Sequence, residues 1–95
     1  MFERVLPIGS IVRLKGGNVR LMIIGYCKRG RNNVDEVFDY AACLYPNGFM
    51  SAEQTIIFNH ENIERIYALG YQNEERFEFE KQLREAVGKV KPFEQ

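Results

Sequence analysis

The chain has 95 residues, and its hydrophobic fraction of 45% with 13% aromatic residues is sufficient for one compact core. This composition excludes an intrinsically disordered chain, which combines low hydrophobicity with a high net charge. The formal net charge is zero, but residues 1–50 carry seven Lys and Arg against four Asp and Glu, and residues 51–95 carry six against nine. We therefore expect a single domain, residues 1–95, whose halves have opposite net charge and which can be steered toward a charged partner.

Cys27 and Cys43 are the two cysteines, and each lies in an apolar, strand-like context. Two cysteines are too few for a disulfide-rich secreted scaffold, so a reduced, cytoplasmic protein is predicted. Whether the two face each other across neighbouring strands stays open. We expect no signal peptide and no membrane segment, because no apolar run approaches the roughly 20 residues that span a bilayer.

The first structural signal is a β-hairpin. Two apolar segments, residues 8–14 and 19–24, flank a turn that contains Gly16 and Gly17, and a glycine pair supplies the positive φ angles of a tight turn. The second of these strands is apolar on both faces, which predicts a central position with a helix or a second sheet layer covering it. Gly25 within it indicates a β-bulge or a close backbone approach.

Two further strands are predicted over residues 37–45 and 55–58. The polar segment 28–36 is predicted to be an exposed loop, and Pro46-Asn47-Gly48 is typical of a β-turn.

A helix is predicted to follow, because its end signals form a complete set. Asn59 is a suitable N-cap, Phe58 and Ile63 are spaced as a hydrophobic staple, and Glu61 lies in the first turn. Gly70 is placed as the left-handed residue that ends the helix.

A second helix is predicted from the N-cap Asn73 to about Val87, ending near Gly88, with residues 89–95 as a tail. Its apolar stripe comprises Phe79, Leu83, Ala86 and Val87, and the remaining faces carry charged side chains, including a Glu80–Arg84 pair at helical ion-pair spacing. The predicted fold class is α+β: an antiparallel meander of about four strands (residues 1–58) followed by two C-terminal helices packed on the sheet (residues 59–88).

No catalytic set is evident. His60 is the only histidine and falls at a predicted helix start, which disfavours the imidazolium form, and neither serine has a nucleophile-elbow context. The cysteine spacing matches no zinc site. We therefore expect no enzyme, no cofactor and no metal. A small hydrolase or nuclease would be favoured only if His60 and Asp39 shared a pocket.

Two binding interpretations remain. The second helix could offer its apolar side to a partner protein, with Phe77, Phe79, Leu83 and Val87 as candidate partner-binding residues, or it could lie over the sheet as core. Alternatively, a small β-domain could bind single-stranded nucleic acid through Arg20, Lys28, Arg29 and Arg31. The zero net charge argues against nucleic acid, and basic residues at strand edges are also explained as protection against edge-to-edge pairing.

The segments LPIGSIVRLKGG, RLMIIGY, DYAACLYPNGF and FNHENIERIYALGY, followed by acidic residues, resemble the family known as domain of unknown function 4176. The resemblance covers residues 6–79. It implies a small cytosolic protein of Gram-positive bacteria, often encoded beside type VII secretion genes and their LXG-type toxins, that serves as a chaperone or adaptor for a toxin before export. The family defines no catalytic residues. The prediction is thus a non-enzymatic accessory protein that binds a partner protein, and a homo-oligomer is also compatible with the sequence.

Overall fold

The computed structural model describes residues 5–30 and 36–90, with the backbone alone at Lys28 and residues 87–90. Within these residues, five strands form one antiparallel sheet in the order β4-β3-β2-β1-β5, and one α-helix follows. The α+β class is confirmed, with five strands and one helix where four and two were predicted. The elements are β1 (Ile11–Leu14), β2 (Arg20–Arg29), β3 (Val37–Tyr45), β4 (Ile56–Phe58), β5 (Ile63–Ala68) and α1 (Glu74–Val90).

The predicted hairpin is present as β1 and β2. The Gly17 N–H donates to the Leu14 carbonyl at 3.0 Å, and Gly16 takes the positive φ of +77° that this turn requires. Gly17 does not use a left-handed conformation, so only one of the two glycines has the predicted role. β1 is shorter than predicted and starts at Ile11, because the chain still turns at Gly9, whose φ is +92°.

The predicted central position of β2 is confirmed, but the strand is longer than predicted, because Lys28 and Arg29, assigned to the following loop, pair with β3. β2 is the middle strand of the sheet, with β1 on one side and β3 on the other, and the β2–β3 register shifts between Ile23 and Gly25 as a bulge. In this register Cys43 lies opposite Met22, whereas Cys27 lies near the far end of β2. The two cysteines therefore do not face each other.

The prediction of a helix after Asn59 is wrong. A short 3-10 turn, His60–Asn62, occupies its start, and β5 follows and pairs with β1. The predicted capping interaction is present, but it extends over one turn only. The Asn59 N–H donates to the Asn62 side-chain oxygen at 2.9 Å and closes this turn. Beyond that turn, the free edge of β1 supplies hydrogen-bond partners for an extended chain, and this pairing overrides helix propensity.

Gly70 ends β5 for a reason that the sequence did not indicate. Its φ is not left-handed, so the predicted helix cap is also wrong. A Cβ atom at this position would lie 1.9 Å from the Ile8 carbonyl oxygen, and the Gly70 N–H donates to the Ser10 hydroxyl at 3.0 Å. Glycine is required here because two backbone segments meet without room for a side chain.

One face of the sheet forms the core, and we call it the covered face. Its side chains include Val12, Ile23 and Tyr40, which are fully buried, and Leu83 of α1 packs against them. The N-cap of α1 is confirmed, since the Asn73 side chain accepts the Arg76 N–H at 2.9 Å. The helix continues through Gly88 to Val90, beyond the predicted end.

The burial of Glu80 differs from the predicted charge pattern of α1. Placed by its spacing among the charged outer residues, Glu80 is only 8% exposed. Its carboxylate pairs with Arg76 one turn earlier, and the Arg76 guanidinium also donates to the Val5 carbonyl. Burial of a carboxylate is tolerated here because a guanidinium neutralises it and both groups are hydrogen-bonded.

Candidate functional site

The predicted partner-binding residues lie on both sides of α1. Phe77 is 46% exposed and Phe79 is 50% exposed, although the Phe79 ring lies 6.1 Å from the Tyr26 ring between centroids. Leu83 is half-buried against the core, and the side chain of Val87 lies outside the described residues. The helix therefore contributes to the core and also displays aromatic surface, so the two alternatives weighed for it are not exclusive.

The second face of the sheet, which we call the open face, carries no α-helix among the described residues, and the short 3-10 turn Ala52–Gln54 lies beside it. It includes Ile11, Met22 and Ile24, which alternate with the core residues of β1 and β2. A groove of about 360 Å³ lies on it toward β4. The residues that line this groove are Ile24, Gly25, Arg29, Ala41, Phe49, Ala52, Thr55 and Ile57.

Three arginines surround one tyrosine at the other end of the open face. The Arg13 Nε donates to the Tyr67 hydroxyl at 3.3 Å. The guanidinium carbons of Arg20 and Arg65 lie 4.6 and 4.8 Å from the centre of the Tyr67 ring. Hydrogen bonding from Arg13, together with the charges of Arg13 and Arg20, lowers the pKa of the Tyr67 hydroxyl.

Sequence reasoning missed this arginine cluster because it depends on β5. In the predicted helix, Arg65 and Tyr67 would lie far from Arg13, whereas in the sheet Arg13 pairs directly with Arg65. The i, i+2 spacing of Arg65 and Tyr67 is the one signal that could have placed both on one face of a strand.

The predicted nucleic-acid residues are not brought together. Arg20 and Arg29 stand at opposite ends of β2, a separation of nine residues that spans about 30 Å in an extended strand. Arg20 belongs to the arginine cluster, and Arg29 lines the groove. The side chain of Lys28 and the whole of Arg31 lie outside the described residues.

His60 and Asp39 do meet, at the corner between β3 and the turn that precedes β5. The buried Asp39 carboxylate accepts the backbone N–H of His60 at 2.9 Å, and the imidazole Nδ1 lies 2.9 Å from the Tyr40 hydroxyl. That hydroxyl also accepts the Leu6 N–H at 3.1 Å.

Burial sets the protonation behaviour of this corner. Burial lowers the pKa of His60, although the negative charge of Asp39 acts to raise it. Burial also raises the pKa of the Tyr40 hydroxyl. The hydrogen bonds join the carboxylate to a backbone amide and the imidazole to a buried hydroxyl. Both arrangements connect β3 to the turn that precedes β5.

Within residues 5–30 and 36–90, no group of three or more His, Cys, Asp and Glu side chains is placed to hold a metal ion. No helix in the same part of the chain combines the length and apolar character that crossing a bilayer demands.

The family model described as "Domain of unknown function (DUF4176)" matches residues 5–79, from the segment before β1 into the first turns of α1. No curated protein and no solved structure shows significant similarity to the chain.

Proposed function

We propose that this chain, which belongs to the family described as a domain of unknown function (DUF4176), is a non-enzymatic accessory protein that binds a partner protein in the cytoplasm. It would act as an adaptor or chaperone. Following the family resemblance, the candidate partner is an LXG-type toxin exported by a type VII secretion system.

The observation that carries this proposal is the inverted burial of α1. Glu80 is 8% exposed, whereas the neighbouring Phe77 and Phe79 are 46% and 50% exposed. A helix that served only as core would turn its aromatic side chains inward and its carboxylates outward. Exposed aromatic side chains are instead characteristic of surfaces that become buried in a protein–protein interface.

Phe77 is the more informative of the two aromatic residues. Phe79 contacts Tyr26 and so contributes to the packing of α1. Phe77 lies off the apolar stripe, and the guanidinium carbon of Arg76 is 5.8 Å from the centre of its ring. A change at Phe77 can therefore remove exposed apolar surface with little effect on the fold.

The test is co-expression with the protein encoded by the neighbouring gene, followed by size-exclusion chromatography of the mixture at micromolar concentration. We expect the two proteins to co-elute. In Phe77→Ser, loss of an aromatic interface residue should weaken the complex by about 30-fold, which corresponds to roughly 2 kcal/mol.

The matched control is Tyr71→Ser, which removes an exposed aromatic side chain from the segment between β5 and α1. This variant should co-elute with the partner as the parent does. Independent elution of the unaltered chain and its neighbour, or equal loss of binding in both variants, would contradict the proposal.

A further inference from the structure

The arginine cluster of the open face is a row across three adjacent strands. Val12 pairs with Leu21 in the β1–β2 register, so the next position places Arg13 of β1 beside Arg20 of β2. On its other side, Arg13 pairs with Arg65 of β5. With neighbouring strands about 4.8 Å apart, the three guanidinium groups occupy a surface about 10 Å wide.

This row brings three like charges together without a neutralising carboxylate among the described residues. Like charges at directly opposed positions of a sheet destabilise it. The contacts that the three side chains make are to the Tyr67 hydroxyl and ring and, from Arg13, to the Gly17 carbonyl. Arg20 and Arg65 are exposed, so their remaining N–H donors face solvent and are accessible to a ligand.

From this geometry we propose that Arg13, Arg20 and Arg65 form a binding site for the carboxylates of an acidic segment of a partner protein. Guanidinium groups match carboxylates in a planar, two-point geometry, and three of them can hold more than one carboxylate. The inference rests on the proposed function in one respect, because it takes the ligand to be part of a protein.

Two observations favour a polypeptide over nucleic acid. Arg20 and Arg65 both lie over the Tyr67 ring, so base stacking, which needs a free aromatic face, is disfavoured at this residue. Next to the arginine row, Ile11 and Met22 present apolar surface on the same face. A segment that carries both acidic and apolar side chains fits this surface, whereas a continuous phosphate backbone would need cations along its whole length.

Binding is tested by fluorescence anisotropy of the full chain with a labelled peptide of about ten residues in which Glu alternates with Leu, long enough to span roughly 30 Å. The peptide should bind, and its affinity should fall several-fold as NaCl is raised from about 50 to 300 mM. The same peptide with Gln in place of Glu should bind at least about tenfold more weakly.

Arg65→Gln should weaken binding of the acidic peptide by about tenfold. The matched control is Lys81→Gln, which removes one positive charge from exposed helix surface outside the row and should leave the affinity unchanged. Both variants change exposed side chains, and an unchanged circular dichroism spectrum and Tm would show that each is folded.

Three results would overturn the inference. The first is no binding of the acidic peptide at low salt, and the second is equal effects of the two substitutions. The third is tighter binding of a single-stranded oligothymidine of about ten nucleotides than of the peptide, with loss of that binding in Arg65→Gln, which would assign the row to nucleic acid.

The outcomes separate this inference from the proposed function. If the neighbouring gene product co-elutes but the acidic peptide does not bind, the arginine site is wrong and the adaptor function stands. If the peptide binds through Arg65 but no partner co-elutes, the site stands and the proposed function falls.

Discussion

The covered face and the open face belong to the same strands but have different chemistry. On the covered face, Val12, Ile23 and Tyr40 are fully buried, and the Tyr40 hydroxyl is hydrogen-bonded to Leu6 and His60. On the open face, the small side chains Ala41 and Cys43 of β3 are buried, the larger aliphatic side chains Ile11, Met22 and Ile24 are half-buried, and the arginine row is at one end. The difference shows that the large, fully buried side chains of the sheet, which contribute most to stability, lie on the covered face.

The largest expected effect compares two adjacent isoleucines of β2. Ile23→Ala removes a fully buried side chain from the covered face and should lower the free energy of unfolding by about 3–4 kcal/mol. Ile24→Ala changes the half-buried open face and should cost only about 1 kcal/mol. Urea denaturation of both variants measures the difference. Equal losses would mean that the two faces are equally buried in solution.

A second comparison concerns the strand that completes the open face. Gly70→Ala would place a Cβ against the Ile8 carbonyl, force β5 away from β1 at this end, and cost about 2–4 kcal/mol. Gly16→Ala is the control, because nothing lies within 4 Å of its added Cβ and only the positive φ of the turn is penalised, by about 1 kcal/mol. Thermal denaturation should rank the two variants in this order, and a milder effect at Gly70 would contradict the close contact.

The smallest effect is a pH dependence that originates at the edge of the covered face. The pKa of His60 is lowered in the folded protein from its ordinary value of 6.5. Above that pH, His60 is neutral in both the folded and the unfolded chain, and its protonation does not reduce the free energy of unfolding. As the pH falls below about 6.5, the unfolded chain binds a proton more readily than the folded one, and the free energy of unfolding decreases.

The measurement is urea denaturation between about pH 7.5 and 5, repeated for His60→Gln. The parent should lose stability across this range relative to the variant, which lacks the titrating imidazole. Parallel pH profiles for the two proteins would show that burial does not lower the pKa of His60 in the folded protein.

Local signals were reliable where neighbouring residues alone decide the conformation. The turn at Gly16, the bulge at Gly25 and the N-cap Asn73 each depend on a few adjacent residues, and each was predicted correctly. The central position of β2 also followed from the sequence, because a strand that is apolar on both faces is suited to the middle of a sheet.

The candidate surfaces were predicted less completely. Phe77 was identified from its position off the apolar stripe, and its exposure agrees with that assignment. Glu80 was placed on the outside because helical spacing does not indicate that a carboxylate can be buried beside Arg76. The burial of this ion pair depends on how α1 meets the sheet, which no local pattern contains.

In residues 60–70, the local sequence determines where a turn begins, and the tertiary structure determines which secondary structure follows it. The amino-acid pattern around Asn59 determines that a turn begins there, since its capping hydrogen bond involves only Asn62. Whether a helix or a strand follows depends on the free edge of β1, more than 40 residues earlier in the chain. The arginine row exists only in the resulting register, because a shift of one residue would turn Arg65 to the opposite face.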